Sequence, residues 1–225
     1  QAPVKIMSVP TTGPANLVAR MGNLLLVSTV GSAARMHIFD ISNSANPVEV
    51  GLLSGQIFKF DARDSYAYLA IGTAGVYVID LTNPVSPTVA AIIRSSIGSR
   101  TAIASDGQIA LVGGNTMATA VLDVSNPAAP IQVAQISSTA QGIRIFNHGN
   151  GQRRAYLAAG SSGLRVVNLN NPATPVITYA IPYTTPYTVS NPSVFGRGVA
   201  MLTRPGKVYA VVAAGTASAS GVGKV

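Results

Sequence analysis

The 225-residue sequence contains no cysteine. That absence excludes disulfides, thiolate catalysis and cysteine-ligated metals together, although it does not fix a compartment. Histidine is nearly absent too, with only His37 and His148, which fall in different parts of the chain. No shared imidazole site is expected, and His148 reads as a solvated side chain in a hairpin turn. No apolar run approaches the roughly 18 residues needed to cross a bilayer; the stretch from Leu24 to Val30 is broken by Ser28 and Thr29. This predicts a soluble or peripheral protein with no transmembrane segment. The chain starts at Gln1 without a basic segment followed by an apolar one, as expected for a removed leader or a fragment.

Catalytic groupings are lacking as well. Asp61 and Asp64 flank Arg63, and Asp64 occupies a turn, so they read as surface charge and not an acid–base pair. Gly113, Gly114 and Gly160 end strands and do not open helices, which argues against a phosphate loop. The expectation is a non-enzymatic protein with no cofactor, metal or catalytic residue.

Hydrophobic residues make up 48% of the chain, and the 22 Gly and 14 Pro recur between apolar runs without pooling in one tract. This is a globular composition, and residues 1–225 read as a single domain. Only 10% of residues are charged, yet the formal net charge is +8. Such an excess favours anionic surroundings: nucleic acid, acidic polysaccharide, lipid headgroups or an acidic protein. Nucleic acid is disfavoured, because no aromatic and basic face with recognisable spacing is present.

One segment occurs four times: FDISNSANPVEVG from Phe39, IDLTNPVSPTVAA from Ile79, LDVSNPAAPIQVA from Leu122 and VNLNNPATPVITY from Val167. Its anchors Asp40, Asp80, Asp123 and Asn168 lie 40, 43 and 45 residues apart, and each is followed seven residues later by Pro47, Pro87, Pro130 or Pro175. Each copy reads as a strand, a turn and a second strand. A short polar side chain at the strand end accepts a backbone N–H, and proline pre-sets φ beside it. The four anchors are therefore expected to be structural turn caps. A metal role is disfavoured because Asn replaces Asp at 168 and separate units would hold these positions apart.

Between these segments lie five hairpins with tight polar turns, at Gly22-Asn23, Asp64-Ser65, Asp106-Gly107, Gly149 to Gly151 and Pro205-Gly206. Four short strands per unit of about 40 to 45 residues is the blade pattern of a β-propeller. The units run approximately 15–53, 57–93, 100–137, 141–181 and 194–225 plus 3–9. APVKIMSV at the start matches only the last strand of a unit, and SGVGKV at the finish only the beginning of a third strand. The expectation is all-β: a five-bladed propeller of four-stranded blades, with the N-terminal strand completing the last blade and removing an open edge. The same complementarity allows a strand to complete a neighbouring molecule.

The segments LDVSNPAAPIQVA and IDLTNPVSPTV, each preceded by a glycine-bounded hairpin, resemble the LVIVD-repeat family of bacterial and archaeal β-propeller proteins. The resemblance covers Pro3 to Ala180, and more weakly the rest. It implies a propeller of secreted, cell-surface or periplasmic proteins with no catalytic residues to carry over. Asn168, an insertion near Tyr183 to Asn191, and the missing motif after Val225 depart from the pattern.

In a propeller the first strand of each unit lines the central channel. Reading those positions gives Asn16, Lys59, Arg100 (or Thr101), Arg144 and Arg197 as a polar, basic ring suited to an anionic ligand. Tyr183 and Tyr187, in the longest loop, suit contact with a protein or sugar. The functional expectation is a binding or structural module of the cell surface or extracellular space, engaging a protein, an anionic glycan, an envelope surface or its own copies. The alternative is a propeller that binds a small anion, or acts as an enzyme, at the channel mouth.

Overall fold

A computed structural model describes residues 5, 7–94, 102–114, 116–182, 194–204 and 207–216, without the side chains of 194–198 and 213–216. The described residues are all-β. The first sheet contains β1 (Ala15–Met21), β2 (Leu24–Thr29), β3 (Arg35–Asp40) and β4 (Val48–Ser54). The second contains β5 (Lys59–Arg63), β6 (Tyr66–Ala70), β7 (Val76–Asp80) and β8 (Thr88–Ile93). The third is β9 (Ala102–Ser105), β10 (Ile109–Gly113), β11 (Thr119–Asp123) and β12 (Ile131–Ile136). The fourth is β13 (Gly142–Asn147), β14 (Arg153–Ala158), β15 (Leu164–Asn168) and β16 (Val176–Ile181). β17 (Val194–Arg204) and β18 (Lys207–Thr216) form a two-stranded fifth sheet. Strands follow sequence order across every sheet, all antiparallel, so each unit is a meander.

The hairpin turns form where a positive φ is available. Gly22 (φ 57°), Asp64 (φ 53°), Gly107 (φ 95°) and Gly151 (φ 77°) supply it. Asp64 is the one non-glycine residue with positive φ among those described, and Asp tolerates that region better than most side chains. The turns joining the second strand to the third repeat in sheets two and four. The Ile71 N–H donates to the Gly75 carbonyl and the Ala159 N–H to the Gly163 carbonyl, at 2.9 and 2.8 Å.

The sheets pack face against face in chain order. Leu26, Met36 and Ile38 of the first meet Ala67, Leu69 and Ile79 of the second. Tyr68 and Val78, on the second sheet's other face, pack with Ala110, Val112 and Leu122. Leu111 and Val121 then meet Leu157 and Val167, while Tyr156 and Val166 meet Val199 of the fifth sheet. Central strands are consequently covered on both sides, which explains why β10 is buried along its whole length.

A bulge interrupts the pairing of the third and fourth strands at the same place in all four complete sheets, between Ile38/Phe39, Val78/Ile79, Val121/Leu122 and Val166/Val167. The fourth-strand residue opposite is Gly51, Ala91, Ala134 or Tyr179. At Gly51 even a Cβ would collide with the Pro84 carbonyl oxygen of the next sheet. The second and third sheets carry alanine at this register, and the fourth carries a tyrosine that is 60% exposed.

Each sheet has two distinct ends. The turn end holds the first hairpins and the Asn-Pro turns; the linker end holds the turns between second and third strands and the connections between sheets. All five first strands contribute to the wall of one cavity, through Leu17 and Val18, Lys59 and Phe60, Ala102 and Ile103, Ile143 and Arg144, and Val199.

Gly75 adopts φ +96° and a Cβ there would strike the Ile93 carbonyl, whereas Gly149 has open space around it. Gly75→Ala is expected to destabilise by about 1–3 kcal/mol, and Gly149→Ala by less than about 0.5 kcal/mol, when both are compared by urea unfolding. Equal effects would contradict the packing described.

Candidate functional site

The cavity among the first strands has a volume of about 240 Å³. Because these strands are sheet edges, alternate residues direct backbone N–H and C=O groups away from their own sheet and toward the cavity. Lys59, the first residue of β5, and Arg144, the third of β13, both contribute to the wall. Neither side chain makes an ion pair or a hydrogen bond among the described residues, and no carboxylate lines the cavity. Gln141 adds an amide. The chemistry on offer is attraction of an anion by two unneutralised cations, with hydrogen-bonding groups beside them and apolar wall from Leu17, Ile103 and Ile143.

Of the residues read from sequence as a channel ring, the structure brings Lys59 and Arg144 to one cavity. Asn16 is exposed beside it, at an irregularity in the β1–β2 register between Ala15 and Leu17 that leaves Leu17 and Val18 on the wall. Arg100, Tyr183, Tyr187 and the side chain of Arg197 lie outside the described residues. Phe60 and Gln141 were not singled out from sequence, and no spacing distinguishes them.

The repeated anchors form one structural device four times over. The Ser42, Thr82 and Ser125 N–H groups donate to the Oδ1 atoms of Asp40, Asp80 and Asp123 at 2.8, 2.8 and 2.9 Å. At the fourth copy the Asn170 N–H donates to Asn168 Oδ1 at 2.9 Å. Three residues further along, Asn43, Asn126 and Asn171 accept from Ala45, Ala128 and Ala173 in the same way. Hydrogen bonds from Ser42 and Thr82 hold Asp40 and Asp80 below the usual carboxylate range, as those from Ser125 do for Asp123.

Other polar groups are tied up in joining sheets. Asp61 Oδ2 accepts the Ser105 N–H at 2.9 Å, Arg63 Nε donates to the Ser105 carbonyl at 3.2 Å, and Arg153 Nε approaches Asp106 Oδ2 at 3.0 Å as an ion pair without hydrogen-bond alignment. His37 is buried. Its Nδ1 lies 3.0 Å from Glu49, and its Nε2 accepts the Thr12 N–H at 3.3 Å, pinning the segment before β1 to the first sheet.

His148 differs from the solvated reading. It packs edge-on against Phe146 and meets the Tyr156 hydroxyl at 3.1 Å, because the hairpin folds its turn residue back over β14. Burial first, and then the Arg154 charge, lower the His148 pKa, while burial raises that of Tyr156. Burial, assisted by Asp64, pushes the Tyr68 phenol up to about 12. All three stay neutral near pH 7.

A family model for the LVIVD repeat matches residues 28–53, 62–94 and 103–137. The chain carries LVIVD repeats. Within the matched LVIVD segments lie the strand ends and caps at Asp40, Asp80 and Asp123; the fourth unit shows the same cap geometry at Asn168. Among solved structures, the LVIVD-repeat chain is similar to the crystal structure of the computationally designed Ika8 protein, at 10% identity and a TM-score of 0.59. The alignment covers 90% of this chain and 55% of the designed one, so this chain spans about half of its neighbour's length, and the likeness concerns the fold alone. No curated protein matches.

No described helix is long and apolar enough to cross a membrane, and no cluster of three or more potential metal ligands occurs among the described residues.

The lowered pKa values have a signed consequence. Stability from the three aspartates is present above the unfolded-state value of 3.8 and is lost as pH falls through the lower folded-state values. The D40N/D80N/D123N variant copies the native Asn168 arrangement, so it is expected to keep the fold and to show a flatter decline of urea-unfolding midpoint on acidification. An unaltered acid profile would count against the assignment.

Proposed function

We propose that this LVIVD-repeat chain is a non-enzymatic binding module of the cell surface or extracellular space, built as one five-unit propeller domain whose central cavity receives an anionic group. The observation that carries the reading is the convergence of Lys59 and Arg144 on a cavity free of carboxylates. Five first strands around that cavity support the five-unit ring. In this reading residues 3–9 supply the last strand of the fifth sheet, which has two strands among the described residues. That strand serves either its own chain or a second copy, giving the self-assembling version of the same module. An enzyme at the channel mouth is a weaker reading, since the lining offers no nucleophile with a base and no pair of carboxylates. A protein or glycan partner remains compatible with the Tyr183 and Tyr187 loop.

Two experiments separate these elements. Titration with citrate should reveal salt-sensitive binding that K59Q/R144Q abolishes while the thermal midpoint stays unchanged; equal binding by the variant would exclude the cavity. Deleting residues 1–9 should lower the thermal midpoint and change the particle size if the strand exchanges between copies. A deletion variant with native stability and native size would show that strand completion is wrong.

A further inference from the structure

The seven carboxylates and fifteen cations of the chain are not mixed evenly through the fold. Asp40, Asp80 and Asp123 end third strands, Asp64 and Asp106 sit in first hairpins, Glu49 is the second residue of β4, and Asp61 bonds to Ser105 at the end of β9. These are all seven, and every one belongs to the turn half of its sheet. All but Asp64 are also occupied, as caps, in the Asp61–Ser105 bond, or in the Asp106–Arg153 and Glu49–His37 contacts. The turn end holds Arg20, Arg63, Arg153, Arg154, Arg204 and Lys207 as well, so its charges nearly cancel.

The linker end is different. Arg35 opens β3, Lys59 opens β5, Arg94 follows β8, Arg144 is third in β13 and Arg165 second in β15. None of the five enters an ion pair among the described residues, and no carboxylate in the sequence lies at this end. Five cations therefore stand unopposed on this face, at its centre (Lys59, Arg144) and toward its rim (Arg35, Arg94, Arg165). The same end carries hydroxyl and amide side chains in and beside its loops, including Ser32, Ser54, Gln56, Ser138, Gln141 and Ser161.

We infer that the linker end is a docking face for an anionic polysaccharide. Its cations are single and dispersed over the first, second and fourth sheets. That distribution matches a polymer whose carboxylates are separated by hydroxyl-bearing rings, each charge meeting one side chain and the intervening hydroxyls meeting Ser and Gln. Each such contact adds to the next along one polymer chain, and all of them are screened as salt rises. The inference rests on the reading of the chain as a binding module, but the rim cations it adds are not those of the cavity.

Polygalacturonate immobilised on a sensor surface tests it. The full chain should bind at low ionic strength, weaken steeply as salt rises, and ignore uncharged dextran. R35Q/R94Q/R165Q should weaken binding about tenfold or more with an unchanged thermal midpoint, whereas R204Q/K207Q at the turn end should bind as the native chain does. Equal loss in both variants would reduce the effect to net charge and overturn the face. Binding to phosphatidylglycerol vesicles without binding to polygalacturonate would overturn the polysaccharide in favour of a lipid surface. Absence of binding to either would overturn the face outright. Citrate binding retained by the rim variant would leave the cavity reading standing in each case; citrate failing with the native chain while polygalacturonate binds would remove the cavity and keep the face.

Discussion

A four-stranded sheet with apolar side chains on both faces cannot stand alone in water, and everything else in this molecule follows from that constraint. Leu111 and Val121 point one way from the third sheet, Val112 and Leu122 the other, and each set is buried only because another sheet lies against it. The apolar faces are thus buried between units. The polar contacts obey the same logic: Asp61 with Ser105, and Arg153 with Asp106, each span two neighbouring sheets.

Much of this order could be read from the residues. The period of the Asp-Pro segment gave four units, and turn residues such as Gly22 and Asp64 located the hairpins, because positive φ and short polar caps leave strong local signatures. The placement of Lys59 and Arg144 on first strands, which meet at one cavity, also followed from strand order. What escaped notice depends on register and on partners distant in sequence. One irregularity between Ala15 and Leu17 decides that Leu17 and Val18, not Asn16, reach the cavity wall. The enclosure of His148 by Phe146 and Tyr156, and the hold of His37 on Thr12 across 25 residues, leave no mark in spacing.

The aspartate caps connect local geometry with long-range electrostatics. A short carboxylate at the end of a third strand stabilises its turn by accepting an N–H, and the repeat places that strand end on the same side every time. Repetition therefore gathers negative charge at one end without any selection for a charged surface as such. Cations stand at both ends, but only at the opposite one are they unaccompanied by carboxylates.

Tyr179 stands where the earlier sheets carry Gly51, Ala91 and Ala134. The bare backbone at Gly51 lets the carbonyl of Pro84 in the following sheet come into contact, whereas the fourth sheet carries an exposed phenol ring at the same register. The repeats are consequently not interchangeable cassettes. The fourth unit differs from the first at the one register position where Gly51 meets the backbone of its neighbour.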